Sequence, residues 1–441
     1  MPHLMRRVEW TEPSFAASVT VCDSLVAAGP EGDAARAAFW RAAQDADFVL
    51  IVGVQDAAQA AFLRKHTAGI ACAVTYACCE ELSSAARLHF QPASALLAAL
   101  AATLPWARAN RDAELLDNAR RLFDRRTPSD FVFATLLLLD GAVAPVRTLT
   151  MNKRTTLGNI ACMARNCGSE VVSCVTDPQC KAALDCLEAC SLNDQVCSYR
   201  CIVSYESPKF EAFTLCVLQK HNCLGNSAER PLLPAFNPMT HFRGQPLTHE
   251  MAEELLIGWL ARPGSELAPQ AQQAQQLPYS WMVVSGVNEA YDSFPSQHQI
   301  FYRAAKGKTM WYDPVFKVRT LAGEWEWRKR HYRVKRDKEP GRFIFSVLDN
   351  GVTSSEYWAV VDVADDLSWG LFAYSGAASA AGQAYSGAVF ATPDGMWPAA
   401  QHLERVAAAH DACGIKLFEL HEVDNSPELR AGAPLELQEA A

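Results

Sequence analysis

Ten of the fifteen cysteines in this chain fall between Cys162 and Cys223. Such density reads as a disulfide framework built in an oxidising compartment. A segment of about sixty residues with modest apolar content cannot bury enough surface to hold its own fold, so cross-links must restrict the unfolded chain. The order is Cys162, Cys167, Cys174, Cys180, Cys186, Cys190, Cys197, Cys201, Cys216, Cys223. Cys186/Cys190 and Cys197/Cys201 are each spaced i,i+4, which puts each pair on one face of a helix. With Ser191-Leu192-Asn193-Asp194 between them, they predict two short antiparallel helices stapled by two bridges. Five bridges are expected, with the pairing of the whole set left open. The C-x₃-C spacing also admits zinc. An even set of ten with few neighbouring histidines favours disulfides, and no metal is expected. The other five cysteines, Cys22, Cys72, Cys78, Cys79 and Cys413, read mostly as plain buried thiols.

The composition is half hydrophobic and one fifth charged, with net charge −9. It is ordinary for a globular protein and argues against a general nucleic-acid binder. The best apolar run, Phe131 to Pro145, is short and carries Asp140, so no membrane span is expected. No secretory leader is expected either, because Arg6 and Arg7 lead into Val8-Glu9-Trp10 rather than an apolar core.

Residues 1–150 read as an N-terminal α/β domain. Phe48 to Val54 and Ile70 to Tyr76 are buried-strand runs around a helix near 56–65, with helices near 93–103 and 111–124. That order predicts a parallel pair. No glycine-rich phosphate loop follows either strand, which favours a docking or stabilising role. The cysteine module occupies 158–224. Residues 225–278 read as a linker, with a helix at His249–Ala261 and a glutamine-rich loop at 270–276.

Residues 279–425 change character. Strands are predicted near 280–286, 297–303, 310–320, 325–335, 342–348, 355–363, 369–374 and 385–391. Turns are expected at Gly307, Gly323, Pro340-Gly341, Asn350-Gly351, Asp365-Asp366 and Ser375–Gly382. Asn-Gly is the strongest, since both residues tolerate the positive φ of a type I′ turn. A helix at 398–410, a last strand at 416–422 and a tail at 426–441 complete the chain. The expected class is therefore multidomain α+β: an α/β domain, a disulfide-rich helical module, and an antiparallel up-and-down barrel of the lipocalin sort with a helix. An open sheet covered by that helix is the alternative.

Ser280 to Gln297 resembles the opening of the violaxanthin de-epoxidase lipocalin domain. Asp194 to Cys201, Phe345 to Val352 and Tyr374 to Ala378 resemble blocks of the de-epoxidase-related proteins of plants and algae. The resemblance spans about 40–425. It implies reductive removal of an epoxide oxygen from a xanthophyll at acid pH. Ascorbate would be a co-substrate rather than a bound cofactor, and the setting would be the chloroplast, in the thylakoid lumen or at its membrane. It also implies site residues. Asp292 and Gln297 match a mouth aspartate and glutamine. Glu356 stands where the family has a catalytic-type aspartate, Trp358 shares its face, and Tyr374 matches an acid/base or epoxide-binding tyrosine. Trp281, Tyr291 and Phe294 join the expected ligand wall. In this sequence Ala391 replaces a second family tyrosine, Pro295-Ser296 replaces an Asp-Cys pair, and the glutamate-rich extension shrinks to Glu428, Glu436 and Glu439.

The chemistry needs an acid for the leaving oxygen and an apolar tunnel for the polyene. A carboxyl group inside an apolar barrel keeps its proton to higher pH. Plainer roles compete. Asp292 could cap a turn. Glu356 could pair with Arg or Lys at the rim. Trp281, Trp358 and Tyr374 could be core packing. The basic run Arg328 to Arg336 reads first as a solvated strand, with attraction of the ascorbate anion or of thylakoid lipid as its functional alternative. A barrel that binds a carotenoid or lipid without turnover is the second function hypothesis.

Overall fold

The structure, a computed structural model, describes residues 1–85, 105–125, 127–146, 157–190, 194–258, 280–304 and 309–436. The chain divides into two compact units, Met1–Leu149 and Thr150–Ala441. The predicted helix near 93–103, most of the 191–194 loop, the glutamine-rich stretch and the Gly307 turn lie outside the described residues.

In the first unit, β1 (Phe48–Val52) and β2 (Cys72–Tyr76) pair in parallel around helix Ala57–Thr67. Asp56 caps that helix by accepting from the Gln59 N–H at 2.9 Å, as an N-cap carboxylate does. Leu25, Phe39, Ile51, Val54 and Leu63 form its core. The apolar run ending at Pro145 falls mostly in helix Pro128–Ala142, which packs on Leu4 and Val8 of helix Pro2–Thr11. Among the described residues no helix is long and apolar enough to cross a membrane.

The second unit opens with the cysteine module. Its ten cysteines pair as Cys162–Cys223, Cys167–Cys216, Cys174–Cys180, Cys186–Cys201 and Cys190–Cys197. The last two form the expected ladder between helices Pro178–Ala189 and Gln195–Ser204. Of the remaining cysteines, Cys72 and Cys413 are buried as expected, whereas Cys22, Cys78 and Cys79 are only half-buried.

A small hairpin, β3 (His241–Phe242) with β4 (Gln245–Pro246), and helix His249–Ile257 follow. Gly258, at φ +76°, ends that helix in the left-handed region, where glycine carries no Cβ penalty.

The barrel strands are β5 (Trp281–Gly286), β6 (His298–Arg303), β7 (Met310–Arg319), β8 (Trp325–Lys329), β9 (Tyr332–Arg336), β10 (Arg342–Asp349), β11 (Val352–Val363), β12 (Gly370–Ala378) and β13 (Gln383–Thr392). They run antiparallel, and β13 returns to β5 to close the sheet. Closure rules out the open-sheet alternative and leaves no free edge around the ring. The predicted 325–335 strand is interrupted. β8 and β9 pair with successive halves of β7 and break opposite Pro314, which has no N–H to give a ladder. β12 runs on to Ala378, so the predicted 375–382 turn shortens to a 3₁₀ turn at Ser379–Ala381. Asn350 and Gly351 take φ +46° and +79°, the paired positive values a type I′ hairpin needs. The C-terminal helix runs Leu403–Ala412, and only His421–Glu422 of the last predicted strand adds to the sheet, as β14 beside β5.

Alternate side chains along each strand separate two cores. Val283, Phe372, Tyr374, Val389 and Ala391 belong to the interior cluster. Val284, Leu371, Ala373, Ala388 and Phe390 lie in the outer one, together with Val406 and Ala409 of the C-terminal helix.

Both barrel ends are covered. At one end the cysteine module meets the mouth. Thr214 donates to the Asn350 carbonyl, the Leu321 N–H to Ser204 Oγ at 3.1 Å, and Gln195 Nε2 to the Ala384 carbonyl at 2.8 Å. At the other end Leu255 and Leu256 of helix His249–Ile257 join the interior core, and their carbonyls accept from Trp281 Nε1 at 3.1 and 3.0 Å.

Candidate functional site

The strand register decides which groups meet inside the mouth beneath the module. Phe345 on β10 pairs with Glu356 on β11, Glu356 with Gly376 on β12, and Gly376 with Tyr385 on β13. The next inward row is Phe343, Trp358, Tyr374 and Gly387. Two glycines therefore stand beside two large polar side chains. A Cβ at Gly376 would lie 2.9 Å from both Glu356 Cγ and Tyr385 Cε2. One at Gly387 would lie 2.5 Å from the Tyr374 hydroxyl and 2.7 Å from Asp292 Oδ2. At Gly286 it would strike Asp292 Cβ at 2.1 Å. The wall is emptied at these positions to admit the carboxyl groups and their tyrosines.

Glu356 is 6% exposed. It accepts from Trp358 Nε1 at 2.7 Å, the Tyr385 hydroxyl at 3.0 Å and the Tyr332 hydroxyl at 3.3 Å. Its partners among the described residues are thus neutral donors, not the arginine or lysine of a rim ion pair. Burial pushes its pKa above the ordinary carboxylate range, and the three donors oppose that push only in part. Asp292, 2% exposed, does cap a turn, accepting from the Val287 and Asn288 N–H groups at 3.1 and 2.8 Å. Its other oxygen accepts from the Tyr374 hydroxyl at 2.6 Å. Burial pushes its pKa up to about 7, against those donors and with a further raise from Glu356. Burial also holds the hydroxyls of Tyr291, Tyr312, Tyr332, Tyr374 and Tyr385 well above the usual phenol range, so they stay protonated donors.

Aromatic rings surround the two acids. Trp358 is sandwiched between Phe345 at 4.8 Å and Tyr374 at 5.0 Å between ring centroids, both stacked. Gln297 is buried at the same mouth, where its Nε2 donates to the Tyr291 carbonyl at 3.3 Å and its Oε1 has no partner among the described residues. Tyr291 packs on Tyr385 at 5.0 Å. Phe294 faces the module side, stacked on Phe316 at 4.8 Å. Trp281 belongs to the far end and serves as an anchor there. The structure thus gathers Asp292, Glu356, Trp358, Tyr374, Tyr291 and Gln297, and sets Phe294 and Trp281 apart from the acids.

Sequence reasoning passed over Tyr332, Tyr385 and Gln299. Gln299 is 1% exposed, accepts from the Tyr312 hydroxyl, and its Nε2 has no partner among the described residues. Alternation on strands already assigned would have placed all three inside.

The basic run is not a solvated strand throughout. Arg330 is buried against Glu206 and Asp349, Arg328 pairs with Glu206, Lys329 and His331 with Asp313, and Arg336 with Glu250 and Glu253. Within the run, Arg333 and Lys335 are exposed and form no such pair among the described residues. Acids distant in sequence take up the rest, so little charge is left for an outside anion.

Residues 159–425 match the family model described as VDE lipocalin domain. Violaxanthin de-epoxidase, chloroplastic, of Arabidopsis thaliana is 20% identical over 154 residues, covering 34% of this chain and 28% of that protein. This chain therefore spans under a third of that relative's length. Among solved structures, lobster apocrustacyanin A1 is 10% identical, covering 46% of this chain and 96% of its own, with a TM-score of 0.26. H1 crustacyanin of the lobster Homarus americanus is 9% identical, covering 37% and 83%, TM-score 0.26. The siderocalin Ex-FABP is 6% identical, covering 33% and 93%, TM-score 0.25.

Proposed function

From a chain that belongs to the VDE lipocalin domain family, we propose an enzyme that reductively opens the epoxide of a xanthophyll at acid pH. The observation that supports this most is the pair of buried, proton-holding carboxyl groups, Glu356 and Asp292, set among tyrosine hydroxyls inside an aromatic barrel. In this reading Glu356 gives its proton to the epoxide oxygen as the C–O bond breaks. Asp292, with Tyr374 held on it, acts as the second acid. Gln297, whose Oε1 is unpartnered among the described residues, and Tyr374 position the ring, and Trp358 and Tyr291 pack against the polyene. Two electrons come from the reductant, proposed to be ascorbate. The oxygen leaves as water and a carbon–carbon double bond remains. Because both ends of the barrel are covered, substrate entry would need a cover to move. The relative named chloroplastic supports a chloroplast location; the thylakoid lumen or its membrane is our proposal, in keeping with the proposed acid-pH chemistry.

The test is turnover. Purified oxidised protein with violaxanthin in lipid and ascorbate should form de-epoxidised product near pH 5, with Glu356→Gln lowering the rate by about 10²-fold or more. No conversion of any epoxy-xanthophyll from acid to neutral pH would sink the reading. One observation favours a second reading, a barrel that holds a carotenoid or lipid without turnover. Ala391, fully buried in the interior, leaves a methyl where the resemblance expects a tyrosine. A spectral shift on carotenoid addition with no product would select that reading.

A further inference from the structure

We propose that Tyr199, a residue of the disulfide module rather than of the barrel, is a positioning residue for Glu356. The inference rests on the reading of Glu356 as the site's acid. The Tyr199 ring lies 4.6 Å from Tyr291, Tyr291 lies 5.0 Å from Tyr385, and the Tyr385 hydroxyl donates to Glu356 at 3.0 Å. Tyr199 thus touches the acid only through two other rings. It forms the outermost layer of a stack that holds Tyr385 in place and keeps water from the carboxyl group.

The helix that carries Tyr199 has little freedom. Cys197 and Cys201 within it are bonded to Cys190 and Cys186. Arg328 Nε donates to the Val203 carbonyl at 3.0 Å, and Glu206, just past the helix, is held by Arg328 and the buried Arg330. Two of the bridges and two arginines of the basic run, Arg328 and Arg330, thus hold this ring on the mouth.

Glu356 faces groups from several elements. Tyr332 of β9, Trp358 of β11 and Tyr385 of β13 donate to it. Asp349 at the end of β10 adds a raising charge, and Glu356 in turn raises Asp292 in the mouth loop, Tyr312 on β7 and Tyr374 on β12. Burial is the largest influence on its proton and outweighs the donors. Removing the outer ring acts first on burial. The proton should then leave at lower pH, even though a loosened Tyr385 bond pulls the other way.

The experiment reads this proton directly, in the full oxidised chain and without turnover. The C=O band of protonated Glu356 is followed by infrared spectroscopy across pH and assigned by its loss in Glu356→Gln. Tyr199→Ala should lower the midpoint by about one pH unit or more, while Tyr199→Phe, which keeps the ring, should leave it near wild type. Near-UV circular dichroism and ten paired cysteines by mass spectrometry report the fold. Where Tyr199→Ala does not fold, Tyr199→Val, which keeps some apolar packing but leaves the outer part of the ring's volume open to water, carries the test with a smaller shift in the same direction. A folded variant without the ring whose Glu356 midpoint equals wild type overturns the proposal. The parent reading fails on a different outcome: wild type converts no epoxy-xanthophyll, whatever the midpoint does.

Discussion

Between Leu157 and Cys223 the buried groups are largely cystine sulfurs around Phe210 and Val217, and Leu157, Ile160, Val172 and Val175 stay exposed. Between Trp281 and Thr392, by contrast, Trp281, Phe343, Phe345, Phe372 and Phe390 are all less than 2% exposed. The module limits its unfolded chain by covalent loops that span up to 61 residues. The barrel gains its stability by removing aromatic surface from water. A closed sheet can surround a core, whereas short helices on a small segment cannot. The two regions therefore respond to different perturbations, although they meet over the same pair of acids.

The largest effect should come from reduction. Each bridge contributes on the order of 2–4 kcal/mol, so losing all five, about 10–20 kcal/mol, is comparable to or larger than the roughly 5–15 kcal/mol that holds a domain. Dithiothreitol should release ten alkylatable thiols in 162–223 and abolish the helical signal of the module, and the melt of the whole unit should fall. A melt unchanged by reductant breaks the comparison.

Next in size is Phe345→Ala. This ring is fully buried and stacked on Trp358 at 4.8 Å, and its loss should cost about 3–5 kcal/mol. The ten module cysteines should remain paired by mass spectrometry. Scrambled bridges in this variant would show that the module depends on the barrel for its fold.

The smallest is a pH effect inside the mouth. The Asp292 proton, ordinarily lost near 3.8, is held to about 7 in the folded chain. Between those values the unfolded chain ionises while the folded chain does not. The stability this group contributes is therefore complete below about pH 4 and is lost as pH rises toward 7, with little further change above that. The difference amounts to a few kcal/mol. Denaturant midpoints of wild type minus Asp292→Asn should fall from pH 4 to pH 7 and level off at pH 8. A flat difference would show that Asp292 is already ionised in the fold.

Much of this was legible along the chain. Cysteine spacing indicated the helical ladder, because i,i+4 pairs share a face whatever surrounds them. Alternation and the Asn350-Gly351 turn marked the barrel strands, because period-two burial and positive φ are local demands. The site was legible in part. Resemblance pointed to Asp292, Glu356 and Tyr374, yet Tyr332 and Tyr385 carried no local mark as partners of Glu356. Gly286 and Gly387 read as ordinary strand glycines and Gly376 as part of a turn, whereas in the fold their Cβ positions are taken by Asp292, Tyr374 and Glu356.

The sequence by itself determined the class of each region: cross-linked helices where cysteines crowd, an α/β unit before them, and an antiparallel barrel where aromatic and β-branched residues alternate. Only the tertiary structure decided that the cysteine module covers one barrel end and the 241–257 segment the other. Only there do most charges of the Arg328–Arg336 run find distant acids, and only there does Tyr199 stand over Glu356 through two rings. The physical reason is range. Helical spacing, strand alternation and turn propensity act over a few residues, whereas the proton affinity of a buried carboxyl group depends on every element that excludes water from it.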